Sequence, residues 1–253
     1  MSKKENHKRD LAPLFNEFID TGDERKLIDY LLANSNLPGR RGNLELAAAF
    51  AEVVEELFAE DPERLWRFCL QLTVISADEA PVNDPKEFLP FCGACGLGAL
   101  GAVSSAFYQE ALARLKELAV DPRWRIREAV AMGLQNLLEK EREKTLNELE
   151  SWIVNGDWLT MRAVALHKMI FDRILSVKER KSEQFKTLKK GLGYTLSVVV
   201  AAIPEEGFGY MEQLIDSRKQ DKDIRWIVKE NLKKNRLVKN FSDEVAALKQ
   251  LLK

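Results

Sequence analysis

Long apolar runs are missing from this 253-residue chain. No stretch approaches the roughly eighteen consecutive apolar residues that span a bilayer, so no transmembrane helix is expected. Cysteine is scarce, with Cys69, Cys92 and Cys95 alone. An odd count in a chain this long is no disulfide framework, and it points to a reducing, cytoplasmic compartment. The two histidines, His7 and His167, form no metal-binding pair. A Gly-rich phosphate loop and a G-x-S-x-G elbow are also absent, which takes away P-loop and serine-hydrolase chemistry. No metal, cofactor or catalytic residue is therefore expected. A large charge of one sign is lacking too: the net charge is −1, against a wholly basic nucleic-acid binder.

The charge is uneven, however. Val177 to Lys253 holds 17 Lys and Arg against 11 Asp and Glu, leaving the remainder at 22 against 29. A basic C-terminal third suits a polyanionic partner. The opening MSKKENHKRD has no apolar segment behind its charges. It lacks the pattern of a signal peptide and reads as a disordered tail over residues 1–10.

Nearly every longer segment has helical periodicity, and no strand run stands out. Helices are expected at Leu11–Ile19, Arg25–Ala33, from Asn43, and after each of three Asp-Pro pairs at Asp61, Asp84 and Asp121. In each pair the carboxylate is placed to cap the helix and proline to occupy its first position. Glu87 stands three residues after Asp84, as in a capping box. The run Phe91–Val103, FCGACGLGALGAV, suits a helix pressed closely between neighbours, and Gly191–Ile203 is too apolar to be exposed.

The clearest stretch is Asp121–Leu138, DPRWRIREAVAMGLQNLL. Ile126, Val130, Gly133, Leu134 and Leu137 line one helical face. A basic residue preceded by Trp recurs: Trp124 with Arg127, Trp158 with Arg162 and Trp226 with Lys229. Arg127 and Arg162 are 35 residues apart, and Arg162 and Lys229 are 67 apart, about twice that period. The stretch resembles the second half of a HEAT repeat. The resemblance implies an all-α, right-handed α-α superhelix of HEAT-like repeats over residues 11–253, best matched at about 84–236.

Arg127, Arg162 and Lys229 have two readings. In HEAT repeats such a residue bonds to the Asp of an adjacent turn and forms a structural ladder. Alternatively they are a concave row of cations following a phosphate backbone, joined by Arg123, Arg125, Arg225, Lys233 and Lys234. Trp124, Trp158 and Trp226 likewise read as packing or as part of that row. The row also bears a distant resemblance to the HEAT-like DNA-alkylation-repair glycosylases. In those enzymes a Trp and the catalytic Asp lie one helical turn apart. Here Trp124 is followed by Glu128, Trp158 by Arg162, Trp226 by Glu230 and Trp66 by Leu70. Asp157, directly before Trp158, reads as a cap. The resemblance therefore implies fold and DNA affinity without excision chemistry.

Two smaller features remain. Cys92-Gly-Ala-Cys95 is a C-x-x-C, but with no βαβ setting and no second pair it reads as two small buried residues. The turn LPGRRGN, Leu37–Asn43, combines Arg40 and Arg41 with the helix start at Asn43, an arrangement that favours an anion. The expected function is non-enzymatic binding of a protein or a nucleic-acid backbone on a concave face, with no membrane and no small-molecule cofactor.

Overall fold

The computed structural model describes residues 2–155, 180–202, 204–217 and 221–252. Asp157, Trp158, Arg162 and His167 lie outside the described residues. Every regular element among those described is helical. No helix among them is long and apolar enough to cross a membrane. The contacts of the chain gather in two compact units, Met1–Glu148 and Leu149–Lys253.

The first unit contains α1 (Lys3–Thr21), α2 (Arg25–Ala33), α3 (Leu44–Glu56), α4 (Pro62–Thr73), α5 (Phe88–Val103), α6 (Ser105–Leu118) and α7 (Trp124–Lys140), with a 3-10 turn at Pro85–Glu87 before α5. Helix α8 follows (Arg142–Asn155). Helices α1, α3, α5 and α7 lie side by side, each packed on the next. Of the others, α4 packs on α5, α6 packs on both α5 and α7, and α2 touches α1 and α5.

Residues 3–10 are not a tail but the first turns of α1. Ser2 caps the helix by accepting from the Glu5 N–H at 3.2 Å. Leu11, Phe15 and Phe18 are buried beyond it, with the two phenylalanines against Phe50 and Phe68. Lys4 pairs with Glu52 of α3 at 2.7 Å, and Lys8 pairs with Glu56. His7 then ties three helices. The Asn43 side chain caps α3 by accepting from Leu46 N–H at 3.1 Å and donates to the Asn34 carbonyl at 2.9 Å. That orientation points the Asn43 amide N–H at His7 Nε2, 3.2 Å away. Nε2 is thus the acceptor, and Nδ1 carries the proton toward the Tyr30 hydroxyl at 2.9 Å. A charged opening without an apolar run reads as disorder only while its partners in α2 and α3 are out of view.

Helix α5 has no solvent-facing side before its last residue: every residue from Phe88 to Ala102 is buried. Its small residues set how near its neighbours come. A Cβ on Gly98 would lie 2.4 Å from backbone atoms of Gly133 in α7, so the two helices touch main chain to main chain.

The Asp-Pro signals differ in outcome. Asp61 caps α4 through Arg64 N–H at 3.0 Å, with Pro62 at its first position. Asp84 opens the 3-10 turn instead, accepting from Lys86 N–H at 2.8 Å. Asp121 does not cap α7. Its carboxylate accepts from Arg123 N–H at 2.7 Å and binds the Arg123 guanidinium, and the helix starts only at Trp124.

The second unit holds α9 (Glu183–Ala202), α10 (Pro204–Ser217), α11 (Lys222–Asn231), α12 (Asn235–Val238) and α13 (Ser242–Leu251). Helix α9 packs on α10, α11 and α12. Buried Asn231 of α11 accepts from Ser197 N–H and donates to the Leu192 carbonyl, both at 2.7 Å, and so pins the middle of α9. The expectation that 191–203 is wholly buried fails. Leu192, Leu196 and Val200 face inward, while Tyr194 is 50% exposed and Val198 43%. An apolar run in a helix still has an outward face when neighbours cover one side only.

Gly98→Ala should destabilise the first unit by about 3 kcal/mol or more, beyond ordinary overpacking because the obstacle is backbone. Gly209 of α10 has open space around its Cβ position. Gly209→Ala should leave stability unchanged or raise it by up to about 1 kcal/mol through helix propensity. Urea denaturation of the two variants measures the contrast, and equal effects would contradict the α5–α7 packing. Asn43→Ala should cost about 1–2 kcal/mol through the lost cap.

Candidate functional site

Two stretches singled out separately in the sequence meet in the first unit: the turn Leu37–Asn43 and the start of α7. Arg125 joins them. Its guanidinium pairs with Glu87 at 3.0 Å and donates to the Gly39 carbonyl at 2.7 Å and to Asn83 Oδ1 at 3.3 Å. Asn83 Oδ1 in turn accepts from Gly39 N–H at 2.8 Å, and Glu87 Oε2 accepts from Asn83 N–H at 2.7 Å. Glu87 does not close a capping box on Asp84, because its carboxylate is turned inward to this arginine. The pair is enclosed, with side-chain exposures of 4% for Arg125 and 0% for Glu87. Glu87 Oε1 and Arg125 Nε are buried without a hydrogen-bond partner among the described residues.

The neighbouring arginines of α7 also face loops. Arg123 is buried, binds both oxygens of Asp121, and donates to the carbonyls of Ile75 at 3.0 Å, Ser76 at 3.2 Å and Ala80 at 3.3 Å. Arg127 donates to the carbonyls of Asp121 and Pro122 in the turn before its own helix. Burial pulls the Arg127 guanidinium below its usual pKa, with nearby Asp121 opposing the shift. The three arginines thus close three different loops, and Arg127 bonds to its own turn rather than to the Asp of an adjacent one.

At the surface of this junction Trp124 is 37% exposed, with the Arg125 guanidinium 4.5 Å from its ring centroid. Arg41 is exposed and pairs with Glu128, one turn beyond Trp124, at 3.0 Å. Arg40 is exposed on the same turn. Asn43 is buried as the cap of α3, so its amide answers a helix donor itself instead of facing an incoming anion.

Cys69, Cys92 and Cys95 are free and buried. Burial pushes all three thiols up, Cys95 to about 12. A thiol held in that state is no nucleophile at neutral pH. Cys95 also lines a recess of about 170 Å³ between α3 and α7, with Ala48, Ala51, Glu52, Glu55, Met132, Gln135 and Asn136.

In the second unit, the residues named from sequence divide. Arg225 donates to the Leu252 carbonyl, which closes α13 against α11. Trp226 is half-buried, and its ring lies 3.0 Å from where a Cβ on Gly193 would be, so α9 packs tightly on the ring at this glycine. Lys189 sits over the same ring at 4.9 Å and bonds to Asp223 at 2.7 Å. Lys229 and Lys233 are exposed, the latter paired with Glu230.

Sequence reading missed Tyr194. Tyr194 projects from α9 with Arg236 4.6 Å and Lys234 5.7 Å from its ring centroid, and Arg236 also donates to its hydroxyl. Tyr194 lies inside the apolar run 191–203, whose composition alone predicts burial. The available signal was its place four residues after Lys190, on the polar face of the α9 helical wheel.

Compared with protein-family models, with curated proteins and with solved structures, the chain has no match.

Arg125→Ala would leave the Glu87 carboxylate buried without its cation, and should destabilise the first unit by about 3–5 kcal/mol. Adding Glu87→Gln should restore part of that loss. Arg41→Ala, at an exposed pair, should cost less than about 1 kcal/mol. A double-mutant cycle by urea denaturation gives the coupling directly. Near-zero coupling would mean that Glu87 and Arg125 are not partners.

Proposed function

We propose that the chain is a non-enzymatic interaction module of the HEAT-like type, a right-handed α-α superhelix, and that its C-terminal unit holds a nucleic-acid backbone. One observation carries the reading. Lys229, Lys233, Lys234 and Arg236 follow each other along α11, the next turn and α12, and their charge is left at or near the surface. The side-by-side row α1, α3, α5 and α7, with other helices packed on it, supports the repeat architecture. The excision chemistry of the alkylation-repair glycosylases is not part of the proposal. Glu128, one turn after Trp124, is paired with Arg41, and Glu230, one turn after Trp226, is paired with Lys233.

A protein partner for the first unit is a second reading. The recess beside Cys95 favours it, because Ala48, Ala51 and Met132 offer apolar surface beneath the carboxylates of Glu52 and Glu55.

The backbone reading predicts weak binding of duplex DNA with little sequence preference. About three phosphate contacts should make log K fall against log salt with a slope of roughly −3. Lys229→Glu with Lys234→Glu should flatten the slope by about 2 while helical circular dichroism stays unchanged. Fluorescence anisotropy with a labelled duplex measures both. No binding at low salt, or a slope that ignores these substitutions, refutes the reading.

A further inference from the structure

We infer that Tyr194 is a base-stacking platform, so that the C-terminal unit prefers single-stranded nucleic acid to duplex. This inference rests on the backbone reading above and names the form of nucleic acid. Three features of the site lead to it.

First, an aromatic ring is left half exposed in the middle of a helix whose inward apolar face, Leu192, Leu196 and Val200, is buried. Second, the ring is held in place. Asn231 pins α9 on either side of it, through Leu192 and Ser197, and Arg236 fixes the hydroxyl. Third, its neighbours are cations. Arg236 and Lys234 lie against the ring, Lys190 is exposed one turn earlier on α9, and the nearby Glu230 is engaged by Lys233.

An exposed cation–π contact is worth only about 0.5–1 kcal/mol, so a stacking base displaces or shares it at small cost. The cations then remain beside the base, where its phosphate lies. Duplex DNA offers the phosphates but keeps its base faces stacked inside, so it can use Lys234 and Arg236 but not the ring. Single strands offer both, and stacking tolerates any base because each has a π face. A cationic ligand is disfavoured by Arg236 and Lys234. An anionic bilayer is the weaker alternative, because the exposed apolar residues on these helices, Val198, Val199 and Val238, carry no large wedge and the tyrosine hydroxyl is clamped rather than free for the interface.

The test is anisotropy with labelled oligo(dT), a duplex of equal length and phosphatidylserine-containing vesicles, using the full chain, Tyr194→Ala and Tyr194→Phe. The full chain should bind the single strand more tightly than the duplex. Tyr194→Ala should lose roughly tenfold on the single strand and less than about twofold on the duplex, while Tyr194→Phe keeps the single-strand affinity. Unchanged circular dichroism and melting show that the surface substitution leaves the fold intact, and Tyr194→Leu repeats the measurement if the alanine variant melts early. Equal losses on both DNAs, no loss on the single strand, or vesicle binding that depends on Tyr194 would overturn the inference while leaving the backbone reading standing. Failure of the unaltered chain to bind either DNA would overturn both.

Discussion

A helix with no polar face has to be enclosed on every side, and α5 is such a helix. Its residues from Phe88 to Ala102 are all buried, and α3, α4, α6 and α7 are packed around it. Enclosure at main-chain distance is possible because α5 and α7 meet glycine to glycine, at Gly98 and Gly133. It has a consequence at the entrance to α5. The loops that turn the chain around that end must converge there, and Glu87, the last residue before the helix, is carried inside with them. A buried carboxylate requires a cation, and Arg125 supplies it from the first turn of α7. The ion pair is therefore a result of how α5 is wrapped, and it fastens the turns at Gly39 and Asn83 to the helix that does the wrapping.

The same geometry decides where positive charge is available. Arg123, Arg125 and Arg127 close loops. Lys4, Lys8 and Lys140 pair with Glu52, Glu56 and Glu55 across the row of helices. The first unit thus neutralises most of its cations internally, with Arg40 of the Leu37–Asn43 turn exposed beside them. The second unit keeps Lys229 exposed, and sets Lys234 and Arg236 around a half-exposed aromatic ring. Surface charge carries recognition where it is left for a partner, which places the proposed binding in the second unit.

Much of the helical content could be read locally. Arg25–Ala33 is a helix with the expected bounds, Asp61-Pro62 opens α4 as its residues require, and the Gly/Ala run is a buried helix. Each of these rests on periodicity or on hydrogen bonds within a few residues, and both are properties of the chain itself. The misread positions share the opposite character. Residues 3–10 are helical because Glu52, Glu56, Tyr30 and Asn43 lie against them, all more than twenty residues away. Asp121 fails as a cap because Arg123 draws its carboxylate into a local ring that also grips the loop at Ile75–Ala80.

The sequence by itself determined that the described residues are helical, where α2, α3 and α4 begin, and which faces carry apolar residues, because those follow from backbone hydrogen bonding and a 3.6-residue period. It could not determine the direction of a long side chain. An arginine reaches loops on several sides of its helix with nearly equal ease, so whether Arg125 faces solvent or Glu87 depends on which loops the fold brings beneath it. Only the tertiary structure decided that α7's arginines turn inward and that Tyr194, inside an apolar run, turns out.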